Sequence, residues 1–483
     1  MKQLTVSVWL FMGIFLYGAY SNPVFAKENE EKGLVNVRVT FQEYDLAEPW
    51  IKKPEKTQLG GAMVVGSGLL LTTADMVRDA TLIEVRKFGR YPDFIAKVVL
   101  IDYELDLALL IVEDKSFWDD LKPLRFADKP PSTGDFVINR WRYNGRFEQG
   151  RGEIIEIRVG TSRFGSLELP LLRGSTNMSG LGWAEVLTAN GEIIGLVTSH
   201  GKQGLTATLS PVLELFIKAA KKEEYKGLAN RGFAWQRLDH PALRESLKLN
   251  GDTGILVRGL LSGGTGSKEL KSGDILLSIG GYKIDPEGLI NHKVFGSILF
   301  GVAINESLEE KIDAEIIRNS KKESIQLQRK AFSPNDYRVH PYLFDKPINF
   351  IMFGGLVIQE LSLSYLRLWG NEWETKAPAR LVIEQDLAFI HKNNGGDGKV
   401  LIVTNQLPDP ANLGYETTEN GILAQVNGLS VTTLEQFRNA LKTPDNGFQI
   451  LEMIPGHGRK KMVFKASDME KINTRIQKRY GLE

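Results

Sequence analysis

Six histidines, His200, His240, His292, His340, His391 and His457, are the side chains of this 483-residue chain best suited to moving protons near neutral pH, and none precedes His200. No two fall at metal-ligand spacing, so neither a metal site nor a cofactor is expected. Cysteine is absent, which excludes disulfides, thiol catalysis and thiolate-bound metals. The first 199 residues hold no histidine, and a hydroxyl is a weak nucleophile that needs a neighbouring base. Two aspartates stand at the ends of apolar strands. The strand Leu69 to Leu71 follows a Gly66-Ser67-Gly68 turn and delivers the polar segment ending at Asp75 to what should be a cleft edge. Asp106 opens the apolar run Leu107 to Val112; taken alone, an aspartate there is a turn or cap residue.

The elements that must position these residues read as short strands: Val35 to Phe41, Ala62 to Leu71, Thr81 to Val85, Ala96 to Ile101 and Asp106 to Val112. No long helix intervenes before Ser210, which suggests an all-β barrel or sandwich. Ser210 then caps a helix with Pro211 at its first position and Val212, Leu215, Phe216 and Ala219 on one face. The charged run Lys221 to Glu224 ends it. Further on, Gly273-Asp274-Ile275-Leu276-Leu277-Ser278-Ile279-Gly280-Gly281 returns as Glu419-Asn420-Gly421-Ile422-Leu423-Ala424-Gln425-Val426-Asn427-Gly428, each a strand running into a tight turn and a second short strand. With 42% hydrophobic and 25% charged residues the chain is ordinary globular material, long enough for roughly three domains of typical size. Its 60 basic and 59 acidic residues nearly cancel, so no nucleic-acid partner is expected.

The stretch Gly66 to Val77 resembles the HtrA/Deg family of trypsin-fold proteases, in which such a strand ends in Thr-Asn-x-His-Val-Val and the histidine is the general base. Here that position is Asp75. Glu104 to Leu110 is similar to the family segment x-x-Asp-Leu-Ala-Leu-Leu, which implies that Asp106 is the residue that orients the base. Leu171 to Leu181 lines up with the family's nucleophile loop, and Asn190 to Leu196 with the strand after it; the resemblance makes Ser179 the nucleophile and places Asn177 and Met178 in the oxyanion loop. Asn177 stands where the family has glycine, and a Cβ is harder to hold in a strained loop. An aspartate at 75 would face Asp106, and two carboxylates there repel and tend to share a proton. Losing the histidine of such a triad costs on the order of 10⁶ in turnover. His200, at the end of a strand lining the expected specificity pocket, is either a substitute base or a pocket-wall residue. Ser116 to Leu124 resembles a Phe-Trp segment of the plant-type Deg branch and reads as surface packing.

The repeat resembles the hallmark of PDZ domains, which bind an extended peptide as an added strand and hold its carboxylate with backbone N–H groups. By that resemblance the binding loops are Gly232, Phe233 and Ala234 in the first such domain and Gly354, Gly355 and Leu356 in the second; the bland alternative for each is a turn before a core strand. A long insertion, Trp369 to Asp397, interrupts the second. The fold expected is mainly β: a trypsin-like double β-barrel (27–225), then two PDZ-like α+β domains (226–332 and 351–468) separated by a linker (333–350), with a terminal helix (469–483). Ser467 to Glu470 is a capping-box pattern for that helix, and Met469, Ile472, Ile476 and Tyr480 share one face.

Residues 1–26 read as a signal peptide: Lys2, the apolar run Leu4 to Tyr20, and Val24-Phe25-Ala26 before a cleavage site. Export is expected, periplasmic in a Gram-negative-type bacterium, with membrane association only if the segment stays uncleaved. The resemblance also implies trimer-based association through N-terminal aromatic residues, for which Phe41, Tyr44 and Trp50 are available. The function expected is that of a degenerate protease binding peptides or unfolded protein segments. An active serine endopeptidase and a structural oligomer with unused PDZ grooves are the alternatives.

Overall fold

The computed structural model describes residues 30–66, 68–201, 204–249, 251–261, 263–331, 333–370, 372–386, 398–415, 419–455 and 461–482. The expected signal segment (1–26), His391 and His457 lie outside them.

The alternating run Val35 to Phe41 forms β1 (Leu34–Phe41), which turns Val35, Val37 and Val39 inward. It closes a six-stranded barrel with β2 (Lys56–Val65), β3 (Leu69–Thr72), β4 (Ala80–Lys87), β5 (Phe94–Asp102) and β6 (Leu107–Val112), in the order β1-β2-β3-β6-β5-β4. The run expected as one strand from Ala62 to Leu71 is a hairpin, β2 and β3, paired at Val65 and Leu69. Phe117, in the segment expected to pack on the surface, is fully buried in this barrel's core, and Trp118 donates to the Val112 carbonyl. Burying two large rings outweighs the polar residues around them.

A second barrel follows: β7 (Gly134–Trp141), β8 (Phe147–Gly160), β9 (Leu169–Thr176), β10 (Val186–Ala189), β11 (Glu192–Gly201) and β12 (Gly204–Leu209), ordered β10-β11-β12-β9-β8-β7. Helix α1 (Ala74–Val77) is the single turn after β3, and α2 (Ser210–Ala220) packs Val212, Leu213 and Phe216 into the core shared by both barrels. Ser210 does not cap α2. The N-cap is Leu209, and the Ser210 hydroxyl donates instead to the Ala127 carbonyl.

The third unit is the sheet β13 (Phe233–Gln236), β14 (Ile255–Leu260), β15 (Ile275–Ile279), β19 (Lys311–Arg318) and β20 (Lys321–Gln328), with β16 (Tyr282–Lys283) on β15 and a hairpin of β17 (Leu289–His292) and β18 (Gly296–Leu299) beside it. The fourth unit carries β21 (Phe350–Phe353), β22 (Leu356–Glu360) and β23 (Leu401–Gln406) in one sheet. A second sheet holds β24 (Leu423–Val426), β25 (Leu429–Ser430), β26 (Phe448–Met453) and β27 (Lys461–Lys465). Helices α3 (Leu434–Ala440) and α4 (Met469–Tyr480) complete it. The sequence repeat is a structural one: β15–β16 and β24–β25 are hairpins whose turns, Gly280-Gly281 and Asn427-Gly428, take positive φ at both central positions, the geometry that suits the twist of the flanking strands.

Helix α4 buries Met469, Ile472 and Ile476 in the core of the fourth unit, so its apolar face is a core face. The expected capping box is not made: Asp468 is the N-cap without a side-chain bond, and a 3₁₀ turn over Ala466–Asp468 leads into the helix. The segment expected as a linker is docked, with Tyr342 and Phe344 stacking around Tyr103 and Phe164. The N-terminal aromatics have partners within the chain: Phe41 in the first barrel's core, Tyr44 under Lys52, and Trp50 against Phe350.

Candidate functional site

Thr73 caps α1 by accepting the Met76 N–H and so fixes the turn that carries Asp75. Asp106 lies at the start of β6, wholly buried, with a φ of 56° that aspartate tolerates better than most residues. The two meet: the Asp75 N–H donates to Asp106 Oδ1 at 2.8 Å. The other oxygen of Asp106, Oδ2, is buried with no hydrogen-bond partner. Burial first, and the charge of Asp75 second, push the Asp106 carboxyl well above the usual carboxylate range. Of the two carboxyls, Asp106 is the one placed to carry a proton.

Asp75 is itself only 4% exposed, and both its oxygens are committed. Oδ1 accepts from Arg78 Nε at 2.7 Å and Oδ2 from Arg163 Nη1 at 2.7 Å. Arg78 also binds Glu43 at 2.6 Å. The Arg163 guanidinium lies 5.5 Å from the ring centres of both Phe164 and Trp183, close enough to each for a cation–π contact.

Ser179 is exposed, four residues before Trp183. Its loop is fixed from behind by Arg140, which donates to the Gly180 carbonyl at 2.6 Å and the Ser179 carbonyl at 3.3 Å while pairing with Glu185 and Glu148. Asn177 does not take a positive φ; the loop's left-handed residue is Gly180, at 58°. The Met178 N–H is turned to Thr176 Oγ1, and its side chain covers Gly150. No hydrogen bond joins Ser179 to Asp75 or to His200 among the described residues. His200 lies instead against the Trp183 ring, centroids 5.2 Å apart. The structure therefore brings Asp75 and Asp106 together, and among the described residues no hydrogen bond links Ser179 to either.

The sequence pointed to none of the three arginines. Arg78 was within reach of a local signal, since it sits three residues from Asp75 on one helical turn. Arg163 and Arg140 come from distant parts of the chain.

At the first peptide loop, β13 is an edge strand, but the Gly232 N–H already donates to the Thr265 carbonyl at 2.9 Å. Phe233 is buried in the core and Ala234 pairs with Gly259. At the second, Gly354 and Gly355 form the two-residue turn between β21 and β22, with φ values of 60° and 91°. Here Gly354 N–H donates to Asn473 on α4. Leu356 begins β22, which is flanked by β21 on one side and β23 on the other, so an added strand finds no open edge there. The strand before the turn occupies it.

The docked segment reaches the same region. Asp79 and Asp345 exchange backbone bonds, each N–H donating to the other's Oδ1 at 2.8 Å, and the Tyr103 hydroxyl donates to Asp345 Oδ2. Burial lifts Asp79 to about 6, against the Asp345 N–H that it accepts. A carboxyl raised in the folded state contributes stability that is full below its unfolded pKa and is lost as pH rises through about 6. Roughly 2–3 kcal/mol of stability is expected to disappear between about pH 4 and pH 7, and Asp79→Asn to flatten that slope. Urea midpoints of the two chains across this range check it; parallel slopes would refute it.

A model for the PDZ domain matches residues 339–483. Protease Do-like 2 (chloroplastic) of Arabidopsis thaliana is 25% identical over 432 residues, covering 87% of this chain and 69% of the relative. The chain is similar to Deg proteases over most of its length. Protease Do-like 4 (mitochondrial) of the same plant is 23% identical, covering 85% and 76%, and a probable periplasmic serine endoprotease, DegP-like, of Marinomonas sp. is 26% identical over 59% of each chain. Among solved structures, an HtrA-type protease, AlgW, with a decapeptide aligns at 19% identity and a TM-score of 0.47, covering 64% of this chain and 98% of that one. The fold is the one expected from the sequence: a trypsin-like pair of six-stranded barrels, and a PDZ domain at the C-terminal end.

Proposed function

We propose that this chain is a pseudoprotease: a Deg relative in which Asp75 stands in place of the general base, and whose work is to bind peptide segments. One observation carries the reading. Both carboxylate oxygens of Asp75 are held by Arg78 and Arg163, so neither is free to accept a proton from a serine. Peptide capture belongs to the third unit, which we read as the first of two PDZ-like domains; the open edge of β13 supports a peptide added as a strand, with the Gly232 loop beside it. The pattern of residues 1–26 supports export, and a mature N-terminus at Lys27 on sequencing the secreted chain is the expected result.

The test is casein hydrolysis by the wild-type chain beside Ser179→Ala, with a peptide-array screen of both. The two proteins are expected to hydrolyse equally little and to bind the same peptides, with binding lost in Trp235→Pro, which removes an N–H from the open edge of β13, since its partner Val257 bonds to the other side. Hydrolysis by the wild type that Ser179→Ala abolishes would return the enzyme reading.

A further inference from the structure

A cavity of about 500 Å³ opens where the first barrel, the docked segment and the fourth unit meet. Its volume lies in the range of small-molecule sites. Its walls divide by chemistry. Phe164, Leu343, Phe344 and Trp373 supply apolar surface, and Lys53, Arg78, Arg163 and Arg367 supply four cations against the carboxylates of Glu43 and Asp79. Glu43 is committed to Arg78 at 2.6 Å and lies 4.0 Å from Lys53, and Asp79 accepts the Asp345 N–H.

Arg367 stands apart from this pairing. Among the described residues its hydrogen bond goes from Nη2 to the Arg163 carbonyl at 2.9 Å, and its guanidinium lies 6.0 Å from the Phe164 ring centre. Among the described residues it has no carboxylate partner. Burial and the charge of Arg163 both push its pKa down, as they do when no anion compensates a cation removed from water. A half-buried guanidinium with donors to spare, set among aromatic and aliphatic walls, is matched by a planar anion on an apolar body, because the carboxylate takes two parallel N–H bonds while the body covers the rings.

We propose that this cavity is a binding site for a free carboxylate carried on an aromatic or aliphatic group, with Arg367 as its anchor. The same chemistry is found in a small organic acid and in the last residue of a polypeptide. The site is separate from the β13 edge, so its occupancy does not depend on the peptide reading given above.

The experiment is isothermal titration of the full chain with N-acetylphenylalanine, with its amide, and with a pentapeptide ending in phenylalanine. The acid is expected to bind saturably at one site, the amide at least tenfold more weakly, and Arg367→Gln to weaken the acid by tenfold or more. Arg367→Lys should lose less. Leu343→Trp, which fills the cavity from the docked segment, should abolish binding by a route that leaves Arg367 intact. Pentapeptide binding with the same dependence on Arg367 assigns the site to chain ends, and binding of the acid alone assigns it to small acids. No saturable binding, equal binding of the amide, or binding that survives both Arg367→Gln and Leu343→Trp would overturn the proposal.

Discussion

Asp75→His combined with Arg163→Ala is expected to make Ser179 reactive where neither the wild-type chain nor Asp75→His alone is. Asp106 Oδ2 is buried without a donor, while its sister oxygen already accepts the N–H of residue 75. An imidazole at 75 would bring an N–H toward that orphaned oxygen and remove the charge that helps keep Asp106 protonated. The single variant leaves Arg163 in place, and a guanidinium beside the new imidazole disfavours the cation that a general base must become. Removing Arg163 also takes its guanidinium away from the Phe164 and Trp183 rings. Removing the histidine from such a triad costs on the order of 10⁶ in turnover, and a positioned base contributes roughly 10² to 10⁴. Labelling of Ser179 by a fluorophosphonate, with a rate that rises through the histidine range near pH ~6.5, is the readout. A folded double variant that stays unlabelled would show that the loop of Asn177 and Met178 has lost its own geometry, and that the arginine is not what silences the serine.

What was legible in the sequence is what local chemistry dictates. Alternation in Val35 to Phe41 and the apolar run after Asp106 set strands and their faces, because burial of a period-two pattern admits one register. The paired hairpins around Gly280-Gly281 and Asn427-Gly428 were legible because positive φ at two successive positions selects few residue types. Caps were less so. Ser210 and the Ser467 pattern both have the right residue types, yet each hydroxyl had another use or none at the helix end, and a cap contributes only about 1 kcal/mol, too little to fix a boundary against tertiary packing. The site was half legible. Asp75 and Asp106 could be matched to a motif, but the residues that decide what Asp75 does are supplied by contacts across 88 residues for Arg163 and by the docking of Phe344 onto Arg78, which no local pattern encodes. For the same reason a stretch that reads as a linker, Ser333 to Phe350, turned out to be a wall of the molecule.

Arg140→Met should produce the largest loss of stability of any single change at the site. Arg140 is 7% exposed and its partner Glu185 is 2% exposed. The methionine keeps most of the volume, so the cost is electrostatic. Glu185 would keep the Gly182 N–H on Oε1 and gain nothing on Oε2, which already has no partner. Breaking one side of a buried pair costs about 3–5 kcal/mol, since the remaining charge is neither solvated nor paired. Burial already holds the Glu185 carboxyl above its ordinary value, and losing Arg140 raises it further, so the variant escapes part of the cost by taking up a proton. The sign follows: for a carboxyl raised in the folded state, stability is kept at low pH and lost as pH rises, and the defect of Arg140→Met is expected to be smaller at pH ~5 than at pH ~8. Glu185→Gln added to Arg140→Met should recover much of the loss at the higher pH, because an amide needs no counter-charge. Freed from the guanidinium that holds the Ser179 and Gly180 carbonyls, the loop should also become the first place a protease nicks the variant. Urea midpoints at the two pH values and a timed digest measure both effects. If Arg140→Met unfolded at the wild-type midpoint and resisted nicking at the loop, packing around Trp183 rather than the buried pair would have to be what holds Ser179 where it is.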